Sequence, residues 1–468
     1  LAYRYESDAL IVMESGKIKA FGPYDELKST IPQGIEIKIY KDSLVLPGFI
    51  DSHIHYPQTQ IIGAYGKQLI DWLNNYTFIA EQQFKNFDYA YSVAQFFLDE
   101  CLKAGTTTVM TYCTVHPESV DAFFTAALKK KMRVIGGKVL MDRNAPPELL
   151  DTAQIGYDQS KALIKKWHGV ERLSYAITPR FAPTSTEEQL VVAGELWNEF
   201  PGTYMQSHLS ENLGEIAWVK ELFPKQIDYL DVYDHFKLLG ARAVYGHGIH
   251  LGEREWQRLF ETGTSLAHCP TSNEFLGSGL FDFPNAKKKE RPVKVGLATD
   301  IGAGTSFSQL QSMNESYKIA QLGGFALSSI HAFYLATRGA AEALYLEDKI
   351  GSLQIGMEAD LVVLDLKSTP LIDFRMKHCK SVEEALVPDH EENILWTRSR
   401  LKNLGKMQVI GHTPRETGEP EFREAENCWN IDTGAVFGLN LTALHLSLEG
   451  TVLETFILPS RLVDYKFS

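Results

Sequence analysis

LPGFIDSHIH, running from Leu46 to His55, reads as an apolar, β-rich strand that ends on two histidines. A spacing of two sets both imidazoles on one face of a strand, so His53 and His55 can reach a single ion. For an isolated pair of this kind, two partly exposed polar residues is the plainer reading. Onward from this strand, short β-rich segments alternate with longer helical ones such as Tyr89–Lys103 and Thr186–Phe200, the pattern of repeated βα units around a parallel sheet. Eight strand-like segments count out: LPGFIDSHIH, TTTVMTYCT, RVIGGKVLMD, LSYAITPRFAP, GTYMQSHLS, RAVYGHGIH, TSLAHCPTS and VKVGLATD. Eight such units predict an α/β fold, a (β/α)₈ barrel of TIM type, over residues 46–345.

Residues 5–45 on the amino-terminal side read as short strands broken by turns. Beyond the barrel a strand-like run returns, IGSLQIGMEADLVVLDLK (Ile350–Lys367). It is expected to pair with the first strands, so that residues 1–45 and 346–372 build one small β-sandwich domain.

Three further features strengthen the histidine pair, because they fall at the C-terminal ends of other predicted strands, where the active sites of this fold lie. His208 ends TYMQSHLS, His247 lies in VYGHGIH, and Asp300 closes VKVGLATD after an otherwise apolar run. All five groups are expected on one rim. Imidazoles and a carboxylate without thiolate suit Zn²⁺ best, while ligand type alone leaves Fe²⁺ and Mn²⁺ open. Glu211, three residues beyond His208, is placed to carry a proton beside the ion. The alternative is a first-turn glutamate favoured by a helix N-terminus.

The 468 residues carry 46 Lys plus Arg against 59 Asp plus Glu, a formal charge of −13. That balance offers no general attraction to phosphate backbones or anionic lipid, so neither nucleic-acid polymers nor membranes are expected partners. No apolar run reaches the roughly 18 residues that span a bilayer, and a cytoplasmic location is expected. The five cysteines are scattered and form no CxxC pair, against both a disulfide framework and a thiolate zinc site. The chain starts on Leu1 rather than Met, and part of its amino terminus is expected to be missing.

PGFIDSHIHYPQ (Pro47–Gln58), TPRFAPT (Thr178–Thr184), SHLSEN (Ser207–Asn212), YGHGIHL, AHCPTSN and GLATDIGAGTSFS occur in this order. Together they resemble the amidohydrolase superfamily, and within it the guanine deaminases, over about residues 5–386. The resemblance implies a (β/α)₈ barrel flanked by a small β-domain drawn from both chain ends. It implies one Zn²⁺ held by His53, His55, His208 and Asp300, with Glu211 and His247 handling protons and Asp300 helping to orient the attacking water. It implies a purine base contacted by Gln58, Arg180, Phe181 and His208. The activity implied is hydrolysis of guanine to xanthine and ammonia, a step of purine catabolism, in a protein that is commonly a homodimer.

Physical chemistry gives these roles sense. Arg180 can donate a fork of hydrogen bonds to acceptors on a base edge, and Phe181 offers a flat apolar wall. The plainer readings are a rim salt bridge for Arg180 and core packing for Phe181. Dinuclear members of the superfamily carry a modified lysine on the fourth strand, and LSYAITPRF has none, which favours one ion. Lys138 lies on the third predicted strand and receives no metal role, while His250 and His268 read as packing or supporting histidines. Rival readings are a deaminase or cyclic-amide hydrolase for an oxidised guanine, a triazine or a pyrimidine, and a non-catalytic scaffold that has lost its metal.

The family pattern stops near SVEEAL (Ser381–Leu386), and residues 387–468 form a separate tail. There HEENILWTRSRL, VIGHTPR (Val409–Arg415) and NIDTGAVFGLNLTALHL (Asn430–Leu446) resemble the C-terminal end of calcineurin-like metallophosphatases. The resemblance makes His412 the counterpart of a metal ligand. The upstream phosphatase turns GDxHG, GDxxDRG and GNHE are absent, so no phosphatase site is expected and His412 is expected to hold no metal.

Overall fold

The computed structural model describes residues 3–66, 68–368, 408–410, 417, 419–424, 428–430, 440–446 and 452–459. The chain divides into two units, residues 1–388 and 389–468.

The first unit opens with an antiparallel hairpin, β1 (Ala9–Glu14) and β2 (Lys17–Pro23). Its turn residues Ser15 and Gly16 have φ of 51° and 75°, the left-handed pair that matches the twist of a two-residue hairpin. β3 (Ser43–Pro47) precedes the barrel strands: β4 (Phe49–His55), β5 (Thr106–Tyr112), β6 (Arg133–Gly137), β7 (Val139–Leu140), β8 (Leu173–Pro179), β9 (Tyr204–Leu209), β10 (Ala243–His247), β11 (Ser265–His268) and β12 (Val295–Leu297). β13 (Leu361–Asp365) follows them and pairs antiparallel with β3, from Pro47 opposite Leu361 to Ser43 opposite Asp365. Upstream of β13, Ile18 donates to the Met357 carbonyl at 2.9 Å and its own carbonyl accepts the Gly356 N–H at 2.8 Å.

The main sheet runs β4–β5–β6–β8–β9–β10–β11–β12, all parallel, with β7 pairing β8 just beyond β6. Eight strands thus curl into a barrel. The first and last strands are laced across the remaining gap. Asp300 donates its N–H to the His53 carbonyl and His55 donates to Ile301, both at 3.0 Å, and Ser52 Oγ donates to Leu297 at 2.9 Å. Closure and placement of the rim histidines therefore rest on the same hydrogen bonds.

Two predicted strands are shorter than the sequence suggests. LPGFIDSHIH is cut at Gly48, which leaves Leu46 and Pro47 in β3. Pro47 lacks an N–H for a continuous ladder, and a Cβ on Gly48 would lie 2.2 Å from Thr107 Oγ1. RVIGGKVLMD breaks at Lys138, whose N–H turns to the Tyr175 hydroxyl at 3.1 Å.

Apolar side chains from the strands fill the barrel, Ile50, Met110, Ile135, Ala176, Val244 and Ala267, with Tyr204 as the large member and Ala298 just beyond β12. This is a packed interior. The helix Arg338–Ala343 and Leu344 close the lower end, where the Tyr204 hydroxyl donates to the Leu344 carbonyl at 2.9 Å. Helices pack outside, among them Phe87–Lys103 and Glu187–Glu199, capped by Asn86 and Thr186, whose side chains accept from Tyr89 and Gln189 N–H. No described helix is long and apolar enough to cross a membrane.

In the second unit, β14 (Gln408–Ile410), β15 (Glu421–Arg423) and β16 (Cys428–Asn430) form a three-stranded sheet, while β17 (Asn440–Leu446) and β18 (Val452–Pro459) form an antiparallel pair. Ser381–Leu386 and His412 lie outside the described residues.

Candidate active site

The barrel rim brings His53, His55, His208, His247, Glu211 and Asp300 together, all buried except His208, which is partly buried. His53 and His55 end β4, His208 stands near the end of β9, and His247 ends β10. The Nε2 atoms of His53 and His55 are 3.3 Å apart and those of His55 and His208 are 3.2 Å apart. Asp300 Oδ1 lies 3.4 Å from His53 Nε2 and 3.3 Å from His55 Nε2. Gly246 makes room for this cluster, because a Cβ there would sit 2.5 Å from the His53 ring.

The outer nitrogens of two of these rings, His208 and His247, are also held. His208 Nδ1 donates to the Arg180 carbonyl at 2.7 Å, which leaves the Nε2 lone pair facing the centre. His247 Nδ1 donates to Asn273 Oδ1 at 2.8 Å, and its Nε2 is buried without a hydrogen-bond partner among the described residues. That Nε2 lies 3.3 Å from Glu211 Oε2 and 3.8 Å from Asp300 Oδ2.

Burial pushes the pKa of His53 and His208 down, and that of His55 down to about 3, so the rings are neutral. Burial raises the Asp300 carboxyl, but hydrogen bonds from His53 and His55 outweigh it and hold Asp300 well below the usual range. Burial first, then the Asp300 charge, pushes Glu211 up to about 8 against a hydrogen bond from Ser278 Oγ at 3.1 Å. Glu211 also differs from the helix-end alternative. It precedes the N-cap Asn212 of Leu213–Leu222, and the first-turn role belongs to Glu215, which accepts the Glu211 N–H at 2.9 Å.

Three neutral ring nitrogens and a carboxylate oxygen with neighbouring separations of 3.2–3.4 Å make poor company for one another without a cation. Bonds of about 2.0–2.1 Å to a tetrahedral Zn²⁺ set ligand edges of roughly this length, so the donor set fits such an ion. Cys269 comes within ligand distance of His53, His247 and Asp300. Its thiol instead donates to the Ala267 carbonyl at 3.4 Å, and burial holds it protonated.

Beside the cluster opens a pocket lined by Gln58, Arg180, Phe181, Trp72, Leu73 and Leu276, with His55, His208, Glu211, His247 and Asp300 at its polar end. Its mixture of apolar wall and convergent polar groups suits a small ligand. Arg180 and Phe181 follow β8, and Gln58 lies in the 3₁₀ turn Tyr56–Ile61 after β4. Elsewhere, His250 Nε2 donates to the Ser278 carbonyl at 2.8 Å, His268 packs on Phe281 with ring centroids 4.6 Å apart, and Lys138 is ion-paired with Asp151.

Sequence reasoning missed several contributors, four of which shape the site most. Trp72 and Leu73 come from the helical excursion after β4, Asn273 orients His247, and Glu81 is a fully buried carboxylate bound to Arg180 and Gln58. Glu81 sits in FIAEQQF, which carries no local signal of function.

Residues 44–391 match the Amidohydrolase family. With the barrel and its histidine–carboxylate rim in place, the chain belongs to the amidohydrolase family. The guanine deaminase of Escherichia coli strain K12 is 50% identical over 385 residues, 82% of this chain and 87% of that protein. The E. coli guanine deaminase structure matches with a TM-score of 0.78 over 80% of this chain and 86% of that one. A guanine deaminase from C. acetobutylicum, solved with guanine in its active site, is 32% identical with a TM-score of 0.71, covering 76% of this chain and 85% of that one.

Proposed function

We propose that this protein is a guanine deaminase that hydrolyses guanine to xanthine and ammonia with one zinc ion. The observation that carries the reading is the adjacency of two half-sites: a histidine–carboxylate cluster with Glu211 beside it, and a pocket whose polar wall holds Gln58 and Arg180. Identity of 50% to a guanine deaminase over most of both chains supports it.

In this reading His53, His55, His208 and Asp300 hold the ion. When bound, it supplies Lewis-acid chemistry that brings hydroxide within reach near neutral pH. Asp300 and His247 orient the attacking water. Glu211 takes one water proton on its carboxylate and delivers it to N3 of guanine, which makes C2 electrophilic. The C2–O bond forms, and the remaining hydroxyl proton passes to the exocyclic amine. The C2–N bond then breaks, so that water and guanine enter and xanthine and ammonia leave. Arg180 and Gln58 donate to acceptors on the base, with Phe181 and His208 bounding it.

Ammonia release and xanthine formation by the zinc-loaded protein test the reading, with adenine, cytosine, a pterin, a triazine and a hydantoin as competitors. Preference for any of the latter over guanine would overturn it. A homodimer in the cytoplasm is part of the same proposal, and sedimentation of the purified protein tests the dimer.

A further inference from the structure

Glu81 ends the short helix Phe78–Glu81, the last part of an excursion that follows β4 and includes the π-turn Leu73–Thr77. Its side chain is wholly buried. A carboxylate in such a place needs partners, and it has two. Arg180 Nη1 donates to both oxygens, at 3.0 and 2.8 Å, and Gln58 Nε2 donates to Oε1 at 3.2 Å.

The second contact fixes an ambiguity that a glutamine otherwise has. The Gln58 amide could present either its carbonyl or its NH₂ to the cavity, and the two ends ask for opposite partners. An ionised carboxylate accepts only, so it selects the NH₂ end, and Gly302 N–H approaches Gln58 Oε1 at 3.4 Å on the other side. The second amide N–H is left for the cavity that Gln58 lines. Arg180 adds donors only, because a guanidinium has no acceptor. Among the described residues its Nη2 and Nε donate to no protein side chain. The polar wall is therefore built of donors.

We infer that Glu81 is a specificity-positioning residue: by holding the Gln58 amide and the Arg180 guanidinium together, it makes a wall that accepts a 6-oxo purine and rejects a 6-amino one. The inference rests on the function proposed above. Guanine offers O6 and N7 as acceptors to such a wall, whereas 2,6-diaminopurine places a donor amine at position 6 against another donor. Both bases carry the C2 amine that would leave, so the pair isolates recognition from chemistry.

The experiment measures kcat and KM for guanine and 2,6-diaminopurine with zinc-loaded wild type, Glu81→Gln, Gln58→Ala and the double variant, with bound zinc determined for each. In Glu81→Gln the new amide can pair with Gln58 in either orientation. The ratio of kcat/KM for guanine to that for 2,6-diaminopurine is expected to fall at least tenfold, mainly through KM, at unchanged zinc content. In the Gln58→Ala background the same substitution should move the ratio less than it does in wild type, because only the part that acts through Arg180 remains. Glu81→Asp, which keeps the charge, should retain most of the wild-type ratio. If Glu81→Gln fails to fold, Glu81→Ser, which removes the carboxylate and leaves room for water, carries the same test.

Equal loss of both activities with an unmoved ratio would make Glu81 a merely structural residue and overturn the inference. Wild type without guanine turnover would sink the function and this inference together. Wild-type turnover with an unmoved ratio in the variant would sink this one alone.

Discussion

Glu211 Oε2 lies 3.3 Å from His247 Nε2, while the far nitrogen of that ring is tied to Asn273 Oδ1 at 2.8 Å. The carboxylate proposed to carry the proton is thus set against an imidazole whose orientation and tautomer another side chain dictates. Removing the carboxylate and loosening the ring should have separable effects.

For the carboxylate, Glu211→Gln keeps the shape of the side chain and its contact with Ser278. We expect kcat to fall by about 10²–10⁴-fold while zinc stays bound at wild-type stoichiometry. Steady-state kinetics with metal analysis of the same sample checks this.

For the ring, Asn273→Ala removes the acceptor of the His247 Nδ1–H. The imidazole then loses its fixed tautomer, and kcat should drop by about 10–100-fold, the usual range for losing a group that orients a metal-site residue. Bound zinc should be unchanged, because His247 is not among the four proposed ligands.

The raised pKa of Glu211 makes a prediction about stability in protein stripped of metal. Its carboxyl moves from 4.5 to about 8 on folding, because of burial and then Asp300. The folded chain therefore keeps a proton that the unfolded chain releases. This group's contribution is full below about pH 4.5 and is lost as pH rises through about 8, a change on the order of a few kcal/mol. Glu215, raised to about 7, acts in the same direction. Metal-free wild type should thus lose more thermal stability between pH 5.5 and 8.5 than metal-free Glu211→Gln. Parallel curves in calorimetry would contradict the assignment.

Gly246 provides a test of the ligand cluster that touches no ligand. A Cβ there would meet three atoms of the His53 ring at 2.5–3.0 Å, and a ring packed in a buried cluster has little room to give. Gly246→Ala should weaken zinc binding by at least tenfold in a competition assay with a chelator. Unchanged affinity would show that His53 can move without cost to the site.

The rim was legible in the sequence because it is written locally. His53 and His55 declare themselves by period, and His208, His247 and Asp300 each fall at the C-terminal end of a predicted strand, so strand patterning alone sets them on one edge. Glu81, Asn273 and Trp72 could not be read that way. They reach the site through loop and helix segments that pack onto the rim only after the barrel has closed; the windows around Glu81 and Trp72 read as ordinary helix, and AHCPTSN, which ends on Asn273, carries the family pattern without saying that this side chain meets His247. The split at Pro47–Gly48 was present as a turn signal, but the apolar run on either side reads through it. Closure between β4 and β12 depends on hydrogen bonds between residues about 245 apart, such as Ser52 Oγ to the Leu297 carbonyl, which periodicity does not encode.

The most direct test of the account is guanine turnover by protein loaded with one zinc per chain, followed as ammonia and xanthine together and repeated after chelation and zinc return. The account predicts stoichiometric ammonia and xanthine, loss of both on chelation, and recovery with zinc. A protein that binds one zinc yet leaves guanine intact would contradict it.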